Sequence, residues 1–127
     1  MKVLVFGTFD HLHPGHRFLL EAASKRGELH VVVARDETVK RIKGKLPDQK
    51  EDERVTAIQE AFPNTDVILG DTKEYLVPVQ AINPDLIILG YDQKLPPGVS
   101  EVDFHCTVER LEAFEPEKYK SSLRGSM

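Results

Sequence analysis

The chain has 127 residues, of which 40% are hydrophobic and 30% are charged, and its formal net charge at pH 7 is −4. This length and balance predict one folded domain over residues 1–127 and exclude wholesale disorder, and no apolar run approaches the roughly 20 residues that span a membrane. The single cysteine, Cys106, excludes an internal disulfide and predicts a reducing cytoplasmic location, and the acidic total argues against a nucleic-acid partner.

Short apolar runs alternate along the chain with segments of helical periodicity. The predicted strands are, in chain order, Lys2–Phe6, Leu29–Ala34, Asp66–Leu69, Asp85–Leu89 and an edge strand at Cys106–Leu111. The predicted helices are His16–Arg26, Glu51–Phe62 and Thr72–Ile82. The central runs are continuously apolar, as in strands that helices cover on both faces. The sequence therefore predicts an α/β fold with a Rossmann-like, doubly wound parallel sheet in a single three-layer α/β/α domain.

Two stretches between these elements are predicted to be mobile loops. One is Arg35–Lys50, a basic run in an acidic protein, and the other is Tyr91–Ser100, which contains two adjacent prolines and a glycine. Ligands of a doubly wound sheet bind beyond the carboxyl ends of its strands. The first candidates for a site are therefore the residues that follow four of the predicted strands, after Phe6, Ala34, Leu69 and Leu89.

The segment after the first strand reads Gly7-Thr8-Phe9-Asp10-His11-Leu12-His13-Pro14-Gly15-His16. The start of a helix exposes free N–H groups and a partial positive charge, which suit a phosphate. Gly15 permits close approach of a ligand to the backbone, and His13 and His16 can each donate a hydrogen bond to a phosphoryl oxygen. Further nucleotide-binding candidates in this segment are Gly7, Thr8 and Phe9. The segment predicts a cradle for the phosphates of a nucleotide, although it matches neither a Walker A loop nor the dinucleotide-binding glycine pattern.

Basic residues follow the second predicted strand. Lys43 and Lys45 flank Gly44, and this pair can reach phosphates as mobile point charges. Arg54 starts the next predicted helix, where it either reaches the same pocket or pairs with a neighbouring glutamate. A solvated basic loop without a ligand is the alternative that the residues leave open.

Two further segments place polar residues next to a strand end or a helix start. Gly90 and Asp92 directly follow the fourth predicted strand, and the carboxylate can accept hydrogen bonds from a ribose or a base. Lys120 precedes Ser121 and Ser122, whose hydroxyls can begin a helix and bind phosphate. Taken alone, the first segment is more typical of an ordinary strand-to-loop turn.

Together these residues resemble the cytidylyltransferase-like nucleotidyltransferases. The Gly7–His16 segment matches that family's G-T-F-D-x-x-H-x-G-H signature at every fixed position, and the resemblance covers most of the chain. Within the family, Lys43-Gly44-Lys45 and Leu89-Gly90-Tyr91-Asp92-Gln93-Lys94 are most similar to archaeal-type FAD synthases, which adenylylate FMN. Glycerol-3-phosphate cytidylyltransferases are the next most similar, but Glu115-Pro116-Glu117-Lys118 stands where they carry R-T-E-G.

The resemblance implies transfer of a nucleoside monophosphate from ATP or CTP to a phosphorylated small-molecule acceptor, with ATP and FMN as the favoured pair and pyrophosphate as the by-product. It implies that His13 and His16 bind the triphosphate and stabilise charge at its α-phosphate. It also implies that Lys43 and Lys45 draw the donor and acceptor phosphates together and that Mg²⁺ accompanies the triphosphate. Small members of the family are often homodimers, and the resemblance leaves the oligomeric state of this chain open. The implied substrate contacts are Asp10 and Arg54, and the implied nucleotide contacts are Gly7, Thr8, Phe9, Gly15, Gly90, Asp92, Ser121 and Ser122.

Two other classes of protein stay open at this point. His11, His13 and His16 have a spacing that zinc can use, which would make the protein a metallohydrolase. A nucleotide-binding regulator that keeps the pocket without turnover would carry the same residues. Metal analysis and an assay of pyrophosphate release separate these alternatives.

Overall fold

The computed structural model describes residues 1–112, which form one five-stranded parallel sheet. The strands are β1 Lys2–Gly7, β2 Glu28–Val33, β3 Asp66–Leu69, β4 Leu86–Leu89 and β5 Thr107–Arg110. The helices are α1 Pro14–Ser24, α2 Asp36–Lys43, α3 Glu51–Ala61 and α4 Leu76–Ile82, with a 3₁₀ turn at Glu101–Phe104. The strand order in the sheet is β3-β2-β1-β4-β5, so the winding reverses between β1 and β4.

Two apolar layers, one on each face of the sheet, hold the helices in place. Val3 and Val5 of β1 lie in the layer that α1 and α3 cover, and Leu4 and Phe6 lie in the layer that α4 covers. All four of these side chains are at most 3% exposed. Successive strand residues point to opposite faces, so helices on both faces require a strand without polar residues. The predicted doubly wound, three-layer α/β/α fold is confirmed.

The predicted helices are confirmed in position, but two of them have different ends. The first helix begins earlier than predicted, at Pro14, because proline fits the first helical turn and His13 caps it. The predicted helix Thr72–Ile82 begins only at Leu76. Pro78 then lies in the first turn of α4, where its missing N–H leaves no helical hydrogen bond unmade.

The prediction that Arg35–Lys50 is a mobile loop is wrong for its first half, which forms α2. Acidic residues in the first turn of this helix and basic residues in its last turn complement the helix dipole. Gly44 ends it in the left-handed conformation, with φ of 85°. Val39 is the buried residue among the eight, which gives too little apolar periodicity for the helix to be predicted.

Residues 113–127 lie outside the part of the chain that the structure describes. The prediction of one domain over residues 1–127 therefore stays a prediction, as does a phosphate-binding role for Ser121 and Ser122. Within residues 1–112, no helix is long and apolar enough to cross a membrane.

Candidate active site

The carboxyl ends of the strands open into a cleft of about 1380 Å³. Gly7 ends β1, while Gly70 and Gly90 follow β3 and β4, and all three line this cleft. The cleft lies across β1 and β4, where the winding reverses, and open α/β sheets bind ligands at such a point. Pockets for a single drug-sized ligand usually measure about 300–1,000 Å³, so this cleft has room for two small molecules.

His13 and His16 are fixed against each other at the start of α1. The His13 Nδ1 atom accepts hydrogen bonds from the N–H groups of Gly15 (3.1 Å) and His16 (3.3 Å), and the His16 Nδ1 atom accepts one from the His13 N–H at 3.4 Å. The two rings are stacked, with their centroids 3.6 Å apart. A neutral imidazole that accepts at Nδ1 carries its proton at Nε2. Both rings therefore offer an Nε2–H donor that has no protein partner within residues 1–112.

The surroundings of His16 keep its ring uncharged at neutral pH. Burial of the ring and, next, the neighbouring His13 lower the pKa of His16 from 6.5 to about 4. Lys43 also lowers the pKa of His16, whereas the Asp10 carboxylate raises it. The Phe9 ring packs edge-on against His16, with the centroids 5.3 Å apart. His16 is therefore a neutral donor that becomes easier to protonate when an anion binds beside it.

Phe9 has a backbone conformation that residues other than glycine rarely adopt. Its φ is 55°, and its side chain is 2% exposed in the apolar layer that includes α1. A side chain at Gly7 would meet the Phe9 ring at 3.2 Å, so the glycine leaves room for that ring. A left-handed residue costs about 1–2 kcal/mol, which the burial of a phenylalanine, worth about 1.5–3 kcal/mol, offsets. The loop between β1 and α1 is thereby held in one shape.

The two predicted lysines lie beside the histidines. Lys43 is the last residue of α2, and its Nζ atom donates to the Thr8 hydroxyl oxygen at 3.4 Å. A smaller cavity of about 260 Å³ lies here, and we call it the polar pocket. Its lining includes Thr8, Asp10, His13, His16, Lys43 and Lys45. The structure thus brings the four predicted catalytic side chains to one cavity.

Asp10 lines the polar pocket and anchors the loop that precedes α3. Its carboxylate oxygens accept hydrogen bonds from the backbone N–H groups of Asp48 (2.9 Å) and Gln49 (3.0 Å). Burial acts to raise the pKa of Asp10, but these two bonds, together with His11 and Arg54, outweigh it and lower the pKa. Asp10 is therefore an ionised group that joins two loops and keeps lone pairs for a ligand.

Within residues 1–112, Arg54 lines neither the large cleft nor the polar pocket and pairs with no neighbouring glutamate, and both expectations are corrected here. Its side chain is fully buried, at 0% exposure. The guanidinium donates to the carbonyl oxygens of Thr8 (2.8 Å), Ala34 (2.8 Å) and Gln49 (3.1 Å), and to an Asp36 carboxylate oxygen at 2.6 Å. A buried cation needs such a set of acceptors. Arg54 therefore positions the loops around the polar pocket instead of contacting a substrate.

Gly90 and Asp92 lie at the end of β4, where they line the large cleft as predicted. Two side chains that the sequence analysis did not single out hold their loop in place. Gln93 accepts a hydrogen bond from the Gly90 N–H at 2.9 Å, and Arg110 of β5 donates to the Gly90 carbonyl at 2.8 Å. These contacts depend on the register of β1, β4 and β5, which no local sequence pattern gives.

A zinc site of His11, His13 and His16 does not form in the described residues. The His11 Nε2 atom instead lies 2.9 Å from a carboxylate oxygen of Asp48. Within residues 1–112, the group of three potential ligands whose atoms all lie within 4.8 Å of one another is Asp10, His11 and Asp48. The metallohydrolase alternative therefore loses its predicted ligand set.

Sequence comparisons identify similar proteins that span nearly the whole chain. A family model described as cytidylyltransferase-like matches residues 4–123. The FAD synthase of Methanopyrus kandleri is 41% identical over 123 residues, which cover 90% of this chain and 81% of that protein. The FAD synthase of Methanolacinia petrolearia is 38% identical over 128 residues, which cover 95% of this chain and 84% of that protein.

Solved structures share the arrangement of strands and helices. A lipopolysaccharide core biosynthesis protein from Thermoplasma volcanium aligns with a TM-score of 0.81 and 34% identity, over 91% of this chain and 98% of that one. A protein of unknown function from Archaeoglobus fulgidus aligns with a TM-score of 0.65 and 18% identity, over 88% of this chain and 90% of that one. The second likeness shows the fold alone, and the first extends to the sequence.

Proposed function

The chain belongs to the cytidylyltransferase-like family, and from this premise we propose that it transfers AMP from ATP to FMN, forming FAD and pyrophosphate. The curated relatives that carry the name FAD synthase support this choice of substrates. The observation that carries the proposal is the polar pocket. There, two Nε2–H donors from His13 and His16 and the ammonium groups of Lys43 and Lys45 belong to the lining of one cavity.

The reaction needs alignment and charge neutralisation more than it needs a protein base. An oxygen of the FMN phosphate attacks the α-phosphorus of ATP, and a new P–O bond forms. The bond between the α-phosphorus and the bridging oxygen breaks, and that oxygen leaves on pyrophosphate. The attacking oxygen is already an anion at neutral pH, so no proton has to be removed. What the protein must stabilise is the negative charge gathered around the α-phosphorus.

The four catalytic candidates suit these two tasks. Because the Nδ1 atoms of His13 and His16 are occupied by backbone N–H groups, their Nε2–H donors need no reorientation when the triphosphate binds. Lys43 and Lys45 stand on either side of Gly44, which ends α2 in the left-handed conformation. Two mobile ammonium groups there can bring the donor and acceptor phosphates together.

The large cleft supplies the space for the rest of both substrates. Its volume of about 1380 Å³ exceeds what one small ligand needs, and Gly90 and Asp92 lie in its wall. We assign the adenosine to the part beside Gly90 and Asp92, because the carboxylate can accept hydrogen bonds from ribose hydroxyls. The flavin then occupies the remaining apolar part of the same cleft, so donor and acceptor share one site.

We propose that Mg²⁺ enters this site with the triphosphate. Mg²⁺ is commonly held by one or two carboxylates together with substrate phosphates. Asp10 supplies a carboxylate in the polar pocket, and each of its oxygens accepts one backbone bond, which leaves a lone pair for the ion. A bound ion would neutralise phosphate charge there. Chelation by EDTA is expected to abolish turnover and added Mg²⁺ to restore it, and undiminished turnover in EDTA would contradict the assignment.

Pyrophosphate release from four substrate pairs tests the proposed reaction. ATP and CTP are each incubated with FMN and with glycerol-3-phosphate in the presence of Mg²⁺. The proposal predicts release with ATP and FMN, and FAD in equal amount. Release with CTP and glycerol-3-phosphate alone would show cytidylyl transfer, and nucleotide binding without release would show a regulator that has no turnover.

We also propose a homodimer in a reducing cytoplasm. The resemblance to small family members, which are often homodimers, supports the assembly, and the single cysteine, Cys106, supports the compartment. Light scattering on the purified protein measures the mass of the assembly directly. A mass of one chain at working concentration would contradict the dimer.

A further inference from the structure

The ladder of hydrogen bonds between β1 and β4 stops before either strand ends. β1 pairs with β2 along its whole length, from Lys2 to Gly7. It pairs with β4 only at Val3, opposite Leu86, and at Leu4, opposite Ile87. The strands therefore separate just where they approach the large cleft.

The register shows which hydrogen bond is missing. Continued along both strands, it sets Phe6 opposite Leu89, so the Phe6 carbonyl would next accept the Gly90 N–H. On the other side of β1, facing β2, the corresponding hydrogen bond is present, because the Gly7 carbonyl accepts the Ala34 N–H at 3.0 Å. On the β4 side, the Phe6 carbonyl and the Gly90 N–H lie beyond the paired positions and need other partners.

The side-chain amide of Gln93 takes the place of this bond. Its Oε1 atom accepts the Gly90 N–H at 2.9 Å, and its Nε2 atom donates to the Phe6 carbonyl at 2.6 Å. Because one partner is a donor and the other an acceptor, the orientation of the amide is fixed by its contacts. One side chain thus satisfies both backbone groups and stands between the ends of β1 and β4.

Arg110 holds the same loop from β5. Its Nη1 atom donates to the carbonyls of Gly90 at 2.8 Å and of Gln93 at 2.7 Å. The loop that carries Asp92 is therefore fixed to β1 through Gln93 and to β5 through Arg110. Neither residue lines the polar pocket, whereas the Gly90–Asp92 loop that both of them hold forms another part of the wall of the large cleft.

We propose that Gln93 is a positioning residue for the nucleoside triphosphate. Its amide stands between the ends of β1 and β4 and bridges them. This sets the place of the Gly90–Asp92 loop relative to His13 and His16. A nucleotide must contact both walls at once, so their separation decides how well it binds. This inference rests on the proposed function, because it takes a nucleoside triphosphate as the ligand of the cleft.

Two substitutions of Gln93 and one matched control test the proposal. Gln93→Leu removes both hydrogen bonds at similar side-chain size, and Gln93→Glu keeps the acceptor for Gly90 but loses the donor to Phe6. Gln80→Leu changes an exposed glutamine of α4 and serves as the control. Each protein is assayed for the Kd of MgATP by calorimetry, for the KM of ATP and of FMN, for kcat and for the midpoint of thermal unfolding.

Both Gln93 variants are expected to bind MgATP about tenfold more weakly, because a loop that the amide no longer holds in place must be ordered when the nucleotide binds, and such ordering costs about that factor. The KM of ATP should rise with the Kd, while the KM of FMN and kcat should change far less. A structural role alone would lower the unfolding midpoint and leave the KM of ATP unchanged in the folded fraction. Gln80→Leu should match the wild type throughout.

Wild-type affinity for MgATP in both Gln93 variants, or a loss confined to kcat, would overturn the inference. If Gln93→Leu does not fold, Gln93→Glu decides alone, because it keeps one bond and the polar character of the site. Failure of the wild-type protein to bind MgATP would be a different result, since it would overturn the proposed function itself.

Discussion

Histidines at the two edges of the sheet, where the strands begin and where they end, differ in how their ring nitrogens are bonded. Near the amino ends of the strands, His30 of β2 is 9% exposed and both of its ring nitrogens are bonded, to Glu28 at 2.5 Å and to Asp66 at 3.2 Å. At the carboxyl ends, His13 and His16 are bonded through Nδ1, and their Nε2 atoms have no protein partner within residues 1–112. A ring with both nitrogens bonded serves the fold, whereas a fixed ring with a free donor in a cavity can serve a ligand.

The same contrast separates the charged residues around the polar pocket. The Arg54 guanidinium lies under the pocket with acceptors on all three of its nitrogens, and it cannot contact a ligand without leaving them. Among the described residues, the Lys43 ammonium group has one hydrogen bond, to the Thr8 hydroxyl oxygen at 3.4 Å. Burial with a full set of partners therefore distinguishes the supporting cation from the available one.

The largest expected effect is on stability and comes from Arg54. Arg54→Met leaves three carbonyls and the Asp36 carboxylate without their buried donor, so we expect a loss of about 3–5 kcal/mol in the free energy of unfolding. Urea denaturation followed by circular dichroism measures it. Arg26→Met is the control, because Arg26 forms an exposed pair with Glu109 and its loss should scarcely move the transition. Equal transitions for the two variants would contradict the supporting role.

The next largest effect is on turnover and comes from His16. His16→Ala removes a fixed donor beside the triphosphate, so kcat should fall about 100- to 1,000-fold. The fold should survive, because the capping bond that the substitution also removes is worth no more than about 1 kcal/mol. The assay is pyrophosphate release at saturating ATP and FMN, with circular dichroism as the check on folding. Near-normal release by a folded variant would rule out a catalytic role for this ring.

His30→Asn is the matched substitution at the opposite edge of the sheet. It breaks the pairing of a buried ring with two carboxylates, so we expect about 1–2 kcal/mol less stability from the lost hydrogen bonds. Because His30 lies away from the cleft, kcat and both KM values should stay within about twofold of the wild type. A loss of turnover comparable to that of His16→Ala would break the distinction between the two edges.

The smallest expected effect is the dependence of nucleotide binding on pH. His16 has a pKa of about 4 in the free protein, below its ordinary value of 6.5, and a bound triphosphate raises it. The complex then holds more protons than the free protein, so the affinity for the triphosphate should rise as the pH falls from neutral towards 4. The gain is at most about tenfold per pH unit for one proton. Calorimetry in buffers of different ionisation enthalpy should show proton uptake in the wild type and less in His16→Ala.

The fold and the polar pocket could be predicted from the sequence because their signals are local. Apolar runs separated by segments of helical periodicity predicted the sheet. The strands end at one edge of it, and the polar side chains that follow the first two strands are His13, His16, Lys43 and Lys45. The prediction of a loop at Arg35–Lys50 failed because α2 buries so little apolar surface. Its basic last turn followed by glycine was the local signal for a helix end.

The supporting residues could not be predicted because their partners are distant in sequence. Arg54 bonds Thr8, which is 46 positions away, and Gln93 bonds Phe6, which is 87 positions away. Whether such a side chain faces a ligand or the backbone depends on strand register and burial. Composition and spacing carry no information on register or burial, so the sequence places Arg54 at the substrate and indicates no separate role for Gln93.

The transfer of AMP from ATP to FMN in one cleft can be followed directly through the phosphorus atoms of ATP. ATP labelled at its α-phosphorus, or separately at its γ-phosphorus, is mixed with FMN, Mg²⁺ and the wild-type protein, and the products are separated by chromatography. We expect the α-label in FAD and the γ-label in pyrophosphate, in equal amounts. Release of the γ-label as orthophosphate, or no transfer of the α-label to the flavin, would contradict it.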